Sequence, residues 1–492
     1  MPSRNVPDER DAMRARILAE ENRKWWTLAA VAFALFMIML DNTVVNVALP
    51  AIQRDLHISV SSLEWVVSGY ALSFAVLMLS GGKLADMLGR RLIFVVGLAV
   101  FAASSLACGL AGSAALLIAA RVVQGLGAAF MMPATLSIIS ATFPPKLRGT
   151  AIGIWAGVSA LALAIGPLVG GLITEHISWN WIFYINVPVG VLGIAAALVI
   201  IEESKDSSHE QRLDVAGLLT SGVGFFAITF AVIESNRYGW GSATILGLFA
   251  LAAVALATFV VAELKQRLPM FDLKLFRNGT FVGANMVAFL VTLAMFGVFF
   301  FISLYLQQIR GYSPVRAGAT FLPMTILIIL IAPFAGRASD RLGSRWLMAG
   351  GMSLVGVSLL LFARLEAHTS FWGILPGLVV GGTGMALVMT PMTAAAMSAV
   401  PVDKAGVGSG MLNTFRQVGG SFGIALMGAI LTHQSASDLR SGATRVDAFI
   451  SGLHAALYVA AAIAFTAAAV AALIIRSHAV RHTEPAAVAE IV

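Results

Sequence analysis

Residues 82–91 read GKLADMLGRR, and residues 336–345 read GRASDRLGSR. The two stretches lie 254 residues apart (336 − 82). At that fixed offset Gly82, Asp86, Leu88, Gly89 and Arg91 meet Gly336, Asp340, Leu342, Gly343 and Arg345. The second position is basic in both copies, Lys83 and Arg337. Each copy is a short charged loop between two long apolar runs. Two related halves with the same hinge loop are the repeat arrangement expected of a secondary transporter.

Outward from these loops the chain is strongly apolar. Of its 492 residues 59% are hydrophobic and 12% charged, and the mean hydropathy is +0.88. That balance excludes a soluble globular domain. The runs between the charged loops are long enough to cross a bilayer at roughly 20 residues each. The expected class is an all-α, polytopic membrane protein. The formal net charge of +7 does not point to nucleic acid, because most Lys and Arg fall in alternate loops. The one cysteine, Cys108, lies inside an apolar run and can form no internal disulfide. The first 24 residues are polar and the first apolar run is long, which argues against a secretory signal peptide.

Residues 8–24 read as a charged helix at the membrane surface, with Trp25 and Trp26 marking the interface. Helices are then expected near 27–48, 63–82, 92–110, 114–140, 150–173 and 181–201. A polar loop to Leu213 precedes a pair of runs near 214–233 and 243–262, and a basic loop spans 263–278. Six more helices follow, near 279–307, 315–336, 346–364, 371–399, 407–432 and 451–476. The count is roughly fourteen. With both termini cytoplasmic, the cytoplasmic segments hold roughly 23 basic residues and the external ones roughly 7. Both hinge loops then face the cytoplasm, and 433–450 is the longest external loop. The domains expected are 1–201, an N-terminal surface helix and six-helix bundle; 202–278, a linker with two inserted helices; and 279–492, a second six-helix bundle with a short tail.

Asp41 sits about 14 residues into the first helix, or about 21 Å at 1.5 Å per residue. An ionised carboxylate at the centre of a bilayer costs about 2.5–3.5 kcal/mol or more. Asp41 is a candidate for proton or cation coupling. The plainer reading is a carboxylate paired with polar neighbours such as Asn42, Thr43 and Asn46. Arg121 lies about two turns into the fourth helix, with Gln124 on the same face. A guanidinium keeps its charge, so it must find a carboxylate, carbonyls or water. It either modulates a nearby carboxylate or anchors the bundle.

In the fifth helix Gly166, Pro167, Gly170 and Gly171 combine close helix approach with a possible bend. Gly419, Gly420 and Gly423 stand near the equivalent place in the second half, beside Arg416, which lies inside the membrane or near its inner face. In the hinge loops Asp86 and Asp340 can pair with Arg90, Arg91 or Arg341, or with a helix N-terminus, giving contacts present in one state and broken in the other. The alternative is an ordinary tight turn. Glu234, at the outer end of the seventh helix, is either a solvated end charge or a ligand, and His454 reads as a packed or interfacial histidine. Most of the nine tryptophans fall near helix ends, and the 20 methionines suit either a plastic cavity or core filling. There is no Walker A loop, metal-ligand spacing or nucleophile elbow, so neither an enzyme nor an ATP-driven pump is expected, and no cofactor or metal.

Six stretches in order carry a family resemblance: LDNTVVNVALP (40–50), GKLADMLGRR (82–91), RVVQGLGAA (121–129), GPLVGG (166–171), WNWIFYINVPVG (179–190) and RQVGGSFGIA (416–425). Together they resemble the major facilitator superfamily in its fourteen-helix drug:proton antiporter branch. The resemblance implies two six-helix bundles plus two inserted helices, and export of hydrophobic, often cationic drugs driven by protons. It implies that Asp41 matches an acidic position tied to coupling or substrate, and that Arg121 matches a proton-coupling arginine. The chain departs at Ala160, Ala162 and Ala164, where glycines are more usual, at Ser451, where relatives often carry an acid, and at Ser344, opposite Arg90. The expected partners are small hydrophobic or cationic substrates, protons and lipids in the plasma membrane, with a monomeric protein and no nucleic acid. Two alternatives stand beside this reading: an exporter of an endogenous metabolite, lipid or self-made antibiotic, and a non-transporting sensor or scaffold.

Overall fold

The computed structural model describes residues 20–205, 214–266, 273–400 and 405–476, and all secondary structure among them is helical. The long helices are α1 (Glu20–Leu56), α2 (Val60–Leu88), α3 (Arg90–Gly109), α4 (Ala114–Thr142), α5 (Pro145–His176) and α6 (Asn186–Ile200). They continue with α7 (Val215–Tyr238), α8 (Ala243–Lys265), α9 (Gly279–Leu304), α10 (Leu322–Leu342) and α11 (Ser344–Phe362). The last three are α12 (Phe371–Ser398), α13 (Ala405–Arg440) and α14 (Arg445–Ile474). Short helical turns at Trp181–Tyr184, Tyr305–Ile309 and Pro314–Thr320 lead into or out of their neighbours.

Twelve helical segments among the described residues are long and apolar enough to cross a bilayer. That is fewer than the roughly fourteen expected. The two that fall outside the set are α5, whose apolar run passes through side chains beyond the described set, and α13. The latter mixes Ser409, Asn413, Thr414, Arg416, Gln417 and Ser421 into its length. The expected long loop at 433–450 is also absent, because α13 runs on to Arg440 and α14 starts at Arg445. Polar side chains do not break a helix by themselves, and Gln434 donates to Asp438 one turn on. Of the surface helix expected at 8–24, residues 8–19 lie outside the described residues, and Glu20–Lys24 are the start of α1.

The packing repeats as the sequence does. In the first half α2 and α3 both pack on α4, α1 packs on α5, and α3 packs on α6. In the second half α10 and α11 both pack on α12, α9 packs on α13, and α11 packs on α14. The halves meet where α2 packs on α13 and where α5 meets the 314–320 turn and α10. The inserted α7 lies along the first of these seams. The Trp65 ring of α2 packs at a tilt against Phe226 and Phe230, and Phe225 meets Phe422 of α13 edge to face. The other inserted helix, α8, packs on α7.

Small residues set the closeness of these contacts. A side chain at Gly166 would run into Thr43, and one at Gly170 would come within 2.7 Å of the Val44 carbonyl, both on α1. A side chain at Gly171 would meet the Pro314 carbonyl at 2.5 Å. Thus α5 holds both its own half and the other. It runs unbroken through Pro167.

Candidate functional site

Six side chains from five helices converge inside the first half. Asp41 and Arg121 are each about 1% exposed. Arg121 donates from Nη1 to Asp41 Oδ2 at 2.6 Å and to Gln124 Oε1 at 2.6 Å, and from Nε to the Val66 carbonyl at 3.1 Å. Asp41 Oδ1 accepts from Gln124 Nε2 at 3.0 Å and from Asn186 Nδ2 at 3.1 Å. Gln124 also donates to Ser105 Oγ at 2.7 Å. The guanidinium lies over the Tyr70 ring, 4.2 Å from its centroid. The helical repeat of α4 puts Arg121 and Gln124 one turn apart on one face, so a single helix presents both.

Every polar atom of the carboxylate is therefore engaged, in surroundings that exclude water. A charge pair buried in this way is held by geometry, and removing one partner strands the other at a cost of about 3–5 kcal/mol. The pair sits inside the first bundle and not in a cavity between the bundles. Asn186, Ser105 and Tyr70 complete it. Sequence reasoning passed over them, although Asn186 is the one amide side chain in the run IFYINVPV.

Asn46, Glu234 and Arg416 are not among the cluster's partners. The Asn46 side chain bonds back to Asn42 on its own helix. Arg416 is half-buried on α13. The reading of Glu234 as a solvated end charge is corrected: α7 packs against α13 there and leaves Glu234 about 8% exposed. His454 is packed, with Nε2 2.7 Å from the Leu365 carbonyl. A separate pocket of about 460 Å³ lies between α13 and α14, lined by Gln434, Asp447, His454 and Tyr458.

Both hinge loops contain a glycine that ends one helix and starts the next, at positive φ: Gly89 at 131° and Gly343 at 81°. That geometry explains the repeated glycine. The first hinge is tied down. Arg90 Nε donates to Asp86 at 2.9 Å. The Glu203 carboxylate, beyond α6, accepts from the backbone N–H groups of Arg91 and Leu92 at 3.1 Å each, and it fills the space a side chain at Gly89 would need. Anion binding at a helix N-terminus is the physical reason. In the second hinge Arg341 is exposed, Ser339 pairs with Ser344 at 2.8 Å, and the Asp340 side chain lies outside the described residues. Gly82 and Gly336 sit one turn before the aspartates, where α2 and α10 approach α4 and α12 at Pro133 and Thr390.

At the ends remote from the hinges the halves are bonded together. Ser303 Oγ donates to the Asn46 carbonyl at 2.9 Å, Gln307 to the Val47 carbonyl at 2.8 Å, and Gln308 to Gln53 at 2.6 Å. The Val315 N–H donates to Glu175 at 2.8 Å.

A repeated pair of helical bundles with a buried charge cluster and paired hinges defines a membrane transporter rather than an enzyme. A family model for the Major Facilitator Superfamily matches residues 31–424 and 286–490, and the chain belongs to that superfamily. It is 38% identical over 414 residues to the tetracenomycin C resistance and export protein of Streptomyces glaucescens, covering 83% of this chain and 76% of that one. It is 36% identical over 465 residues to the multidrug resistance protein Stp of Mycobacterium tuberculosis, covering 94% and 86%. Among solved structures it is similar to an inward-facing, unoccupied bacterial homologue of the human lysosomal transporter Spinster. The TM-score is 0.66 at 18% identity, covering 92% of this chain and 97% of that one. That likeness is one of fold.

Proposed function

We propose that this protein exports drug-like hydrophobic compounds in exchange for protons, by alternating access between its two halves. The buried Asp41–Arg121–Gln124 cluster carries the coupling half of this reading, and the names of the two relatives support the drug half. When Asp41 takes a proton, its attraction for Arg121 falls. Gln124 Oε1 and the Val66 carbonyl already lie within reach of the guanidinium and can hold it. The exchange shifts α1 against α4 without leaving Arg121 bare. Because α1 also supplies the Asn46 and Val47 carbonyls that tie the halves, a change at Asp41 reaches the seam through one helix.

On this reading the protein spans the plasma membrane with the hinge loops and both termini on the cytoplasmic side, and the bonded seam is the closed outer gate. The helices α5 and α13 also cross, giving fourteen spans in the drug:proton antiporter branch. The protein works as a monomer among lipids, with six-helix bundles at 1–201 and 279–492 and the inserted pair between them. A neutral substrate would add about 2.3 kcal/mol per 100 mV for each proton that enters. Purified protein in liposomes with an outward pH probe should move protons when a hydrophobic cation is added. No proton movement alongside measurable substrate movement would remove the coupling.

A second reading has one observation in its favour. One relative is named for the resistance and export of a single compound, tetracenomycin C. A narrow exporter of an endogenous metabolite or self-made antibiotic would leave ethidium and similar probes inside the cell.

A further inference from the structure

Away from the Asp41 cluster, two more acids are buried at the remote end of the α2–α13 seam. Glu64 of α2 is about 2% exposed and Glu234 of α7 about 8%. Among the described residues Glu64 has neither a hydrogen bond nor an ion pair. It lies against α13 at Gly428, where any side chain would collide with its carboxylate. One residue on, the Ala429 carbonyl accepts from Asn236 Nδ2 of α7 at 2.7 Å. Three helices thus close around two acids, and Gly428 leaves the space that the Glu64 carboxylate occupies.

The charges facing this place are few. From α7 they are Glu234 itself and Arg237, whose Nη1 is 3.8 Å from Glu234 and whose side chain is 75% exposed. A cation so solvated contributes little. From α4 the charge near this stretch of α2 is Arg121, which is committed to Asp41, Gln124 and the Val66 carbonyl. Nothing among the described residues of α13 pairs with Glu64.

Two carboxylates so deeply buried, with no buried cation beside them, repel each other, and a proton on one relieves that repulsion. The seam joins the two halves, so its opening parts Gly428 from Glu64 and admits water. We propose that Glu64 and Glu234 form a second proton site, filled from the outer side, whose occupancy is required for the α2–α13 seam to close. The inference rests on the alternating-access reading for the opening of the seam and is independent of what the protein exports. The site sets the order of events: closure of the outer gate waits for a proton, and an empty site holds the gate open.

The test uses full-length protein in lipid nanodiscs, without drug. Gln53→Cys and Gln308→Cys replace a pair that bridges the closed seam, and a short bis-methanethiosulfonate, which joins the two thiols with loss of methanesulfinate at each, reports closure; the native Cys108 is buried. Protonation favours closure, so crosslinking is full at low pH and falls as pH rises. One proton allows up to about tenfold in the closed-to-open ratio per pH unit. Glu64→Gln imitates the filled site and should raise crosslinking at high pH, leaving only the pH dependence that Asp41 passes to the seam through α1. Glu234→Gln removes the repulsion and should displace the pH dependence toward lower pH. Varying sodium at fixed pH should change nothing.

Crosslinking that does not vary with pH in the parent overturns the proposal. So does a pH profile that Glu64→Gln leaves unchanged, or a sodium dependence at constant pH. If Glu64→Gln does not fold, Glu234→Gln decides, and an undisplaced profile overturns the proposal. A chain with the expected profile that exports no drug would keep the site and lose the drug-export reading instead.

Discussion

At the scale of the residue, the cluster obeys the economics of buried charge. Asp41, Arg121 and Gln124 were legible in the sequence because a charge inside an apolar run must find a partner. Asn186, Ser105 and Tyr70 were not, since a neutral polar residue in a membrane helix has many uses and no obligatory one. Glu64 was missed for another reason. The expected start of its helix, near 63, left it at the interface, whereas α2 begins at Val60 and α7 and α13 cover it. The pair itself predicts non-additive stability. Asp41→Asn and Arg121→Gln should each lower the thermal midpoint, by about 3–5 kcal/mol of destabilisation. The double variant should be more stable than the worse single one, because it leaves no unpaired charge. Thermal unfolding of the four purified proteins reads this, and additive losses would mean the two side chains act separately.

At the scale of the element, apolar runs located most helices to within a few residues, but polar segments misled. The stretch 433–440 continues α13, and the place of α7 along the α2–α13 seam has no signature in a single sequence. The Trp65, Phe226 and Phe230 contacts that hold it there read as ordinary apolar residues. Close packing makes one glycine sensitive and another indifferent. Gly170→Ala should push α1 from α5 and destabilise by about 1–3 kcal/mol, with a matching loss of transport. Gly157→Ala, with nothing within 4 Å of its added carbon, should be silent in the same expression and transport assays.

The first inserted helix offers a pH test. Asp214 caps α7 by accepting from the Gly217 N–H at 2.7 Å, and Gln266 donates to it at 2.6 Å. Burial pushes the Asp214 carboxyl up, but the bonds from Gln266 and Gly217, with Lys83 nearby, hold it below the usual carboxylate range. A group depressed on folding stabilises above its unfolded pKa and loses that contribution as pH falls through its folded value. Asp214→Ala should therefore cost about 1 kcal/mol at neutral pH. The gap to wild type should persist down to about pH 4 and close only below it. A gap that widens in acid would contradict this account of the cap.

At the scale of the whole molecule, the hinge repeat announced two related halves, and the packing repeats helix for helix. The side on which the halves are bonded was not legible, because one sequence must serve both arrangements of the seam. The central claim is that the Asp41–Arg121 pair couples a proton to export. It is tested most directly by ethidium efflux from energised cells carrying wild type, Asp41→Asn or Arg121→Ala at equal membrane expression, with a protonophore control. The account predicts efflux by wild type that the protonophore abolishes, and a loss of about tenfold or more in Asp41→Asn. Undiminished, protonophore-sensitive efflux by Asp41→Asn would contradict it.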